Sequence, residues 1–255
     1  MGWGDEIMVT GIAKRLNANA EKQAVVIDRR GDQRWHEMWA NNPRIMRHSW
    51  DRKSVAHIVL NGPGVRPYIA QKTAGRWVWK DFSCPVGEIY FSAEEKAYAD
   101  KIDYPFVVIE PNCKPKASPN KDWGRARWQL LADLLTKQKL NVLQLCEPGV
   151  HVLRNVTPIY TPSFRTACAV LAKSSGAVLP EGGLHHAAAA VGVRAVVIYG
   201  GYISPRQTGY DIHANLFTGG EPCGMRVHCD HCKKAMDEIE PELVLNKFME
   251  GIWNA

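Results

Sequence analysis

The sequence predicts an α/β protein built on parallel sheets. Two observations carry that prediction. Short apolar, β-branched runs alternate with helical patterns through the second half of the chain, and glycine-rich turns stand where those runs end. Strand–helix alternation of this kind implies right-handed crossovers and a Rossmann-like sheet.

The elements follow in chain order. The opening "MGWGDEIMVTG" reads as a glycine-rich turn, and "DEIMVTGIAKRLN" as the helix after it. "QAVVID" is a strand, "DQRWHEMWANNPRIM" is mixed, and residues 55–64 form a strand and turn. "GEIYFSAEEKAYADKI" ends in a helix. Ser92 is its N-cap, and Glu95 three residues on completes a capping box. A boundary falls near residue 101. Beyond it, "PFVVIEPN" is a buried parallel strand and "CKPKASPNKDW" a lysine-bearing loop. "GRARWQLLADLLTKQ" carries a helical stripe of Trp128, Leu131 and Leu135. "LNVLQLCEPG" and "NVTPIY" are strands. "TPSFRTACAVLAKSSG" is a helix capped by Thr161, with Pro162 at its first position and Gly176 past its end. "AVLP" is a strand, "EGG" a turn, "LHHAAAAVG" a small-residue helix ending at Gly192, and "RAVVIYGG" a further strand. No solenoid-spaced repeat or low-complexity tract interrupts the pattern.

Composition bounds the function. In 255 residues, 45% are hydrophobic and 23% charged, as in an ordinary soluble globular protein. No apolar run of about 18 residues exists and no basic-then-apolar leader opens the chain, so a cytoplasmic protein is expected. Seven cysteines without a leader fit reduced thiols better than a disulfide framework. The net charge of +6 suits anionic partners such as phosphates, nucleic acid or acidic lipid headgroups, and suits plain solubility equally.

Ligands of open parallel sheets bind beyond the carboxyl ends of strands. Three such ends carry unusual residues. After "AVLP", Gly182 and Gly183 let backbone approach a ligand, the next helix offers free N–H groups, and Glu181 can accept hydrogen bonds from ribose hydroxyls or cap the helix. After "VVIEPN" come Asn112, Cys113, Lys114, Lys116 and Lys121, near a helix N-terminus that favours anions. After "AVVIY" come Gly200 and Gly201.

These segments resemble glycosyltransferase family 9, the ADP-heptose:lipopolysaccharide heptosyltransferases. "PEGGLHHAAAAVGVRAVVIYGGYISP" is similar to the family's donor-site signature. Glu181 falls at its acid, Gly183 at its glycine, His186 at its histidine and Gly200 at the end of the following strand. "NKDWGRARW" resembles the family's Lys-x-Trp-Pro-x-x-x-Trp segment, with Lys121 at the phosphate-binding lysine and Trp123 and Trp128 at the tryptophans. "GWGDEIMVTG" resembles the family's Gly-Asp-x-x-x-x-Thr opening, with Gly4, Asp5 and Thr10 in place, and the tail from Cys223 resembles the family's end. The order of the four segments is kept. The sequence departs from the family in length, in Glu181 for the usual Asp, in Asn112 and Cys113 for paired Thr, and in Gly200-Gly201-Tyr202 for Gly-Pro-Thr. In the family a strand precedes the opening turn; here that strand is either dispensed with or lies upstream of Met1.

The resemblance implies a GT-B fold of two Rossmann-like lobes with parallel sheets and a cleft between them. Residues 1–100 are then a reduced acceptor-side lobe, 101–235 the nucleotide-sugar lobe, and 236–255 a C-terminal helix packing back on the first lobe. It implies an inverting, metal-independent glycosyltransferase needing no cofactor, with an ADP-sugar as co-substrate and a glycan or glycolipid hydroxyl as acceptor, working in the cytoplasm or at the inner membrane surface. Asp5 is the expected general base, where the bare sequence favours a helix cap. Asn112, Cys113, Lys121, Glu181, Gly182, Gly183, His186, Gly200 and Gly201 are expected on the donor side. Gly4, Thr10, Arg29 and Arg30 are expected on the acceptor side, within a region rich in Arg and Trp that includes Arg34, Trp50 and Trp77. Such a face suits phosphorylated saccharides or single-stranded nucleic acid. Two alternatives stand beside this reading. One is the same module acting on a nucleic-acid acceptor. The other is a non-catalytic protein that binds nucleotide-sugars, or nucleic acid with zinc. Cys223, Cys229, Cys232 and His228 offer one zinc knuckle and its neighbours, the lesser reading of the tail.

Overall fold

The computed structural model describes residues 2–18, 23–48, 57–62, 65–113 and 118–253. The chain begins with α1 (Trp3–Leu16), followed by β1 (Ala24–Ile27), a 3-10 turn at Glu37–Trp39, β2 (His57–Leu60), β3 (Ile69–Lys72), β4 (Trp77–Trp79) and α2 (Ala93–Ala99). The second half runs β5 (Val107–Ile109), a 3-10 turn at Pro119–Lys121, α3 (Arg125–Lys137), β6 (Val142–Cys146), β7 (Thr157–Tyr160), α4 (Phe164–Ala172), β8 (Ala177–Pro180), α5 (Gly183–Ala190), β9 (Ala195–Gly200), α6 (Pro205–Thr208), β10 (Ala214–Phe217), α7 (Asp230–Asp237) and α8 (Pro241–Phe248). Among the described residues, no helix is long and apolar enough to cross a membrane.

The second half forms a six-stranded sheet in the order β10-β9-β8-β5-β6-β7, every pair parallel. β5, β6, β8 and β9 are buried along their whole length, which explains their uninterrupted apolar runs. α3 packs through Trp128, Leu131, Ala132 and Leu135, spaced at helical period. Gly124 sits before it at φ +96°, a conformation glycine adopts without strain. Helix α4 starts later than expected. Ser163, not Thr161, caps it by accepting the Thr166 N–H at 3.1 Å, so Pro162 lies outside the helix.

The first half is slighter. β1 and β2 form a two-stranded parallel sheet, and β3 and β4 an antiparallel hairpin. The expected opening turn is absent: the chain enters α1 at Trp3, and Gly4 and Asp5 lie inside the helix. The capping box of α2 is present, with Ser92 and Glu95 exchanging bonds of 2.8 and 3.2 Å. Arg165 of α4 then forks onto Glu95 at 2.7 and 2.8 Å and takes the carbonyls of Met38 and Tyr90, tying the halves together.

One apolar cluster runs through both halves, from Ile7 and Trp39 to Val197 and Tyr210. α1 lies on α5 and α2 on α4. A second cluster fills the other face of the large sheet and holds Trp123, Trp128, Val244 and Phe248. Among the described residues it contains none before Val107. Among the described residues, the C-terminal helix α8 packs chiefly on the second half rather than back on the first. It covers α3, β8 and β9, because its apolar face fits the second cluster.

Candidate functional site

The sheet divides at its centre. From β5 the chain winds outward to β6 and β7, and from β8 it winds the other way to β9 and β10. The boundary between β5 and β8 is a topological switch point, where open parallel sheets hold ligands beyond their carboxyl ends. Glu181 follows β8 there. Lys121 reaches it from the 3-10 turn after β5, a turn capped by Ser118. Lys121 Nζ donates to Glu181 Oε2, and Thr208 Oγ1 donates to Oε1 at 3.2 Å. Burial works against the Glu181 charge. Lys121, then His185 and the Thr208 hydroxyl, outweigh burial and hold the carboxyl below its usual range. Lys121 also lies 5.4 Å from the Tyr202 ring.

A pocket of about 490 Å³ opens beside the same turn. Asn112, Cys113, Asp122, Arg125 and His151 are among its walls. The buried Asn112 Nδ2 lacks a partner at full hydrogen-bond geometry among the described residues, and the Asn112 side chain interacts with the Glu110 carboxyl. Burial pushes the Cys113 thiol up to about 12, so it is a neutral wall rather than a nucleophile. Glu110, at the end of β5, is pushed up to about 8 by burial, with a contribution from Glu147 and against the bond it accepts from the Asn112 N–H at 2.8 Å. Lys114 and Lys116 lie outside the described residues.

Asp5 occupies the third position of α1 and is 8% exposed. Oδ1 accepts the Tyr68 hydroxyl at 2.6 Å. Oδ2 accepts the Gly2 N–H at 3.0 Å and pairs with Arg66 Nε at 3.2 Å. Asp5 thus braces the first turn of its helix, as a cap would, and also anchors two side chains from the β3 approach. Burial lowers the Arg66 pKa, but Asp5, then Tyr68, Tyr202 and Glu181, raise it further. Beside Asp5 is a cavity of about 10 Å³, room for roughly one water.

The histidines are internal. His185 Nδ1 accepts the Gly182 N–H at 2.9 Å, so Nε2 carries the proton and donates to Thr208 O at 2.8 Å. His186 Nδ1 bonds the Tyr210 hydroxyl at 2.7 Å, and Cys84 donates to that hydroxyl at 3.1 Å. Burial lowers the pKa of both rings, most strongly for His186. Glu181, His185 and His186 come close enough to suggest a metal. The two His185 nitrogens, His186 Nδ1 and the Glu181 oxygens are already committed to protein partners.

The glycines mostly serve packing. A side chain on Gly4 would collide with the His186 ring, and one on Gly183 would stand 3.0 Å from Phe164 and 3.1 Å from Trp3. Gly200, at φ +61°, lies under Met236, and Gly201 lies under His231 and Ala235. Of the expected donor glycines, Gly182 alone has open space, its nearest neighbour being Pro180 O at 3.9 Å. Thr10 is fully buried, donating to Ile7 O and accepting the Glu88 N–H, both at 2.7 Å. Arg29 and Arg30 are exposed on the turn after β1, where Asp28 accepts the Arg30 N–H at 2.8 Å. Arg66 and Arg34 are partly buried instead, the former paired with Asp5 at 3.2 Å and the latter with Glu6 at 3.1 Å. Trp123 and Trp128 are core residues, edge to face at 5.0 Å. Trp77 is ringed by Arg66, Lys72 and Arg226 at 5.4–5.8 Å, while Trp50 lies outside the described residues. In the tail, Cys223, Cys229 and Cys232 converge, but His228 is exposed and outside the group, and His231 takes its place. Arg66, Tyr68 and Thr208 had no motif to mark them, whereas His231 stands inside the Cys229–Cys232 knuckle.

No protein-family model matches the chain, and no curated protein matches it. Solved structures do. The family 9 glycosyl transferase of Veillonella parvula DSM 2008 superposes with a TM-score of 0.63 at 14% identity, covering 100% of this chain and 96% of that one. ADP-heptose lps heptosyltransferase II of E. coli gives 0.51 at 18% identity, over 68% of this chain and 55% of its own. The chain thus spans about half of the E. coli enzyme. Its fold is similar to that of these glycosyltransferases, with the six-stranded parallel sheet in the second half of the chain.

Proposed function

We propose that the protein is a glycosyltransferase moving a sugar, heptose-like by resemblance, from a nucleoside-diphosphate donor to an acceptor hydroxyl with inversion. The observation that carries this is the Lys121–Glu181 pair at the switch point, together with the buried Asp5 and its Arg66 partner on the first helix. The nucleoside would lie in the 490 Å³ pocket, walled by Asn112, Cys113 and Arg125 among others. The diphosphate would take Lys121 from Glu181. Glu181 would then be free to accept sugar hydroxyls.

The step follows from these places. The acceptor oxygen attacks the anomeric carbon. The bond from that carbon to the diphosphate oxygen breaks, and the electron pair leaves on the phosphate, where Lys121 meets the charge. The acceptor proton passes to Asp5. In the present arrangement Tyr68, Gly2 and Arg66 occupy the Asp5 oxygens, so the acceptor hydroxyl must displace one of them. The cations around Trp77, Arg66 among them, favour an acceptor that is itself anionic, such as a phosphorylated saccharide at the inner membrane surface.

The test is release of nucleoside diphosphate from a panel of ADP- and other nucleotide-sugars, with and without phosphorylated glycan acceptors. Asp5→Asn is expected to lower kcat by roughly 10²–10⁴ with donor affinity kept. Lys121→Ala is expected to cost roughly 10²–10³ in rate and to weaken diphosphate binding as well. Full transfer by Asp5→Asn would remove Asp5 as the base. Failure of every donor to bind, read by thermal shift, would sink the reading itself.

A further inference from the structure

We infer that Cys223, Cys229, Cys232 and His231 form a closed tetrahedral site for a thiophilic transition metal, zinc by its geometry, and that this metal holds the Lys121 turn in place. Cys223 Sγ lies 3.7 Å from Cys229 Sγ and 3.1 Å from Cys232 Sγ, and Cys232 Sγ lies 3.8 Å from His231 Nδ1. All four ligand atoms fall within 4.8 Å of one another. Zinc–sulfur bonds of about 2.3 Å at tetrahedral angles set sulfurs about 3.8 Å apart, so the group is already near the required size. A disulfide would use two of the thiols and leave the third, with the imidazole, unexplained.

The imidazole is an independent observation. His231 Nε2 bonds the Gly219 carbonyl at 2.7 Å. A carbonyl only accepts, so Nε2 carries the proton and the Nδ1 lone pair faces the sulfurs. This is the outer-shell arrangement that orients a metal-binding histidine. Gly201 and Gly219 make room for the ring: a Cβ on either would stand 2.8 or 3.2 Å from His231 Cε1. The Met225 N–H donates to Cys223 Sγ at 3.4 Å. Three thiolates and an imidazole exclude the hard cations that take oxygen ligands and suit zinc or iron(II). Four protein ligands leave no position for substrate, so the metal's role is structural.

The loop between the first two cysteines explains what the metal would hold. Asn120 Nδ2 donates to Met225 O at 2.9 Å and Val227 O at 2.7 Å, and Asn120 Oδ1 accepts the Cys229 N–H at 3.2 Å. Ser118 Oγ donates to Met225 O at 3.0 Å. Residues on both sides of Asn120 thus belong to the turn that aims Lys121. On the other side of the loop, the Trp77 N–H donates to Gly224 O at 2.9 Å and the Arg226 N–H to Gly75 O at 3.0 Å, joining the β3–β4 hairpin. The effect on Lys121 rests on the donor reading above; the metal site does not.

The full chain is purified under reducing conditions from medium holding zinc and iron, and its metals are measured. About one equivalent per chain is expected, lost in Cys232→Ser and His231→Ala and kept in His228→Ala. Cobalt(II) added to the stripped wild type is expected to give the intense visible bands of a tetrahedral thiolate site, a readout that needs no variant to fold. Stripping is expected to lower Tm by about 5 °C or more and to weaken nucleoside-diphosphate binding by roughly tenfold or more. Less than about a tenth of an equivalent, with no tetrahedral cobalt spectrum, overturns the site. Metal present with unchanged diphosphate binding after stripping overturns its hold on Lys121. Metal present in a protein that binds no diphosphate in any form leaves the site standing and fails the transferase reading.

Discussion

Glu110 illustrates how one buried side chain sets a pH dependence. Its carboxyl titrates near pH 8 because burial disfavours the charge, and Glu147 adds to this. Glu110 directly precedes Pro111 and Asn112, which line the pocket; below that pH its side chain is neutral, and above it a carboxylate appears behind the place proposed for an anionic donor. Nucleoside-diphosphate affinity is therefore expected to fall as pH rises through about 8. Glu110→Gln is expected to remove that step, as read by calorimetric titration between neutral and alkaline pH. An unchanged profile in the variant would assign the step elsewhere. The same linkage acts on folding. A carboxyl whose pKa is raised in the folded state contributes stability that is lost as pH rises from the unfolded value, near 4.5, through the folded one, near 8. Motifs made Asp5, Lys121 and Glu181 legible in the sequence, because each lies in a local pattern of fixed spacing. Their partners were not legible. Arg66, Tyr68 and Thr208 reach the site from irregular segments distant in sequence, and only the fold brings them there.

At the scale of elements, the crossing of α1 on α5 decides what the opening glycines do. Glycine inside a helix costs about 1 kcal/mol relative to alanine. At Gly4 that cost is offset because any side chain would strike the His186 imidazole. Close approach here also stacks Trp3 on Phe164, with ring centroids 4.7 Å apart. Gly4→Val is therefore expected to destabilise by roughly 1–3 kcal/mol through overpacking. Gly182→Ala, with open space beside it, should stay within about 0.5 kcal/mol. Denaturant unfolding of both variants checks the contrast, and equal effects would mean that the α1–α5 contact is not tight. The strands of the second half were legible because they are buried on both faces and so read as continuous apolar runs. The first half was not. β2 turns Ile58 and Leu60 outward at 52% and 53% exposure, so its apolar residues do not mark a buried face. The opening glycines read as a turn because local propensity carries no information about a helix packed across the chain.

The whole molecule encloses a polar interior that its halves share. His185, His186 and His213 all lie within it, and His186 sits directly under α1. Burial lowers the pKa of each ring, Lys121 adds to this for His185 and His186, and His185 adds to it for His186 and His213, so all three are neutral in the folded protein near neutral pH. Unfolding frees each ring to take a proton near pH 6.5. Between that value and the folded one the unfolded chain binds more protons, so stability must fall as pH falls. For His213 the folded value is about 4, and at roughly 1.4 kcal/mol per unit the loss approaches 3 kcal/mol by pH 4. Tm is therefore expected to drop steeply from pH 6.5 to pH 4. His213→Asn isolates the contribution. The variant gives up the bond from His213 Nε2 to His185 O, 3.1 Å long, and should melt lower than wild type at pH 7. Its Tm should nevertheless depend less on pH across that window, since one buried proton site is gone. A variant with an undiminished slope would show that His213 does not set the acid limit, and that His185 and His186, pressed between the two halves, set it instead.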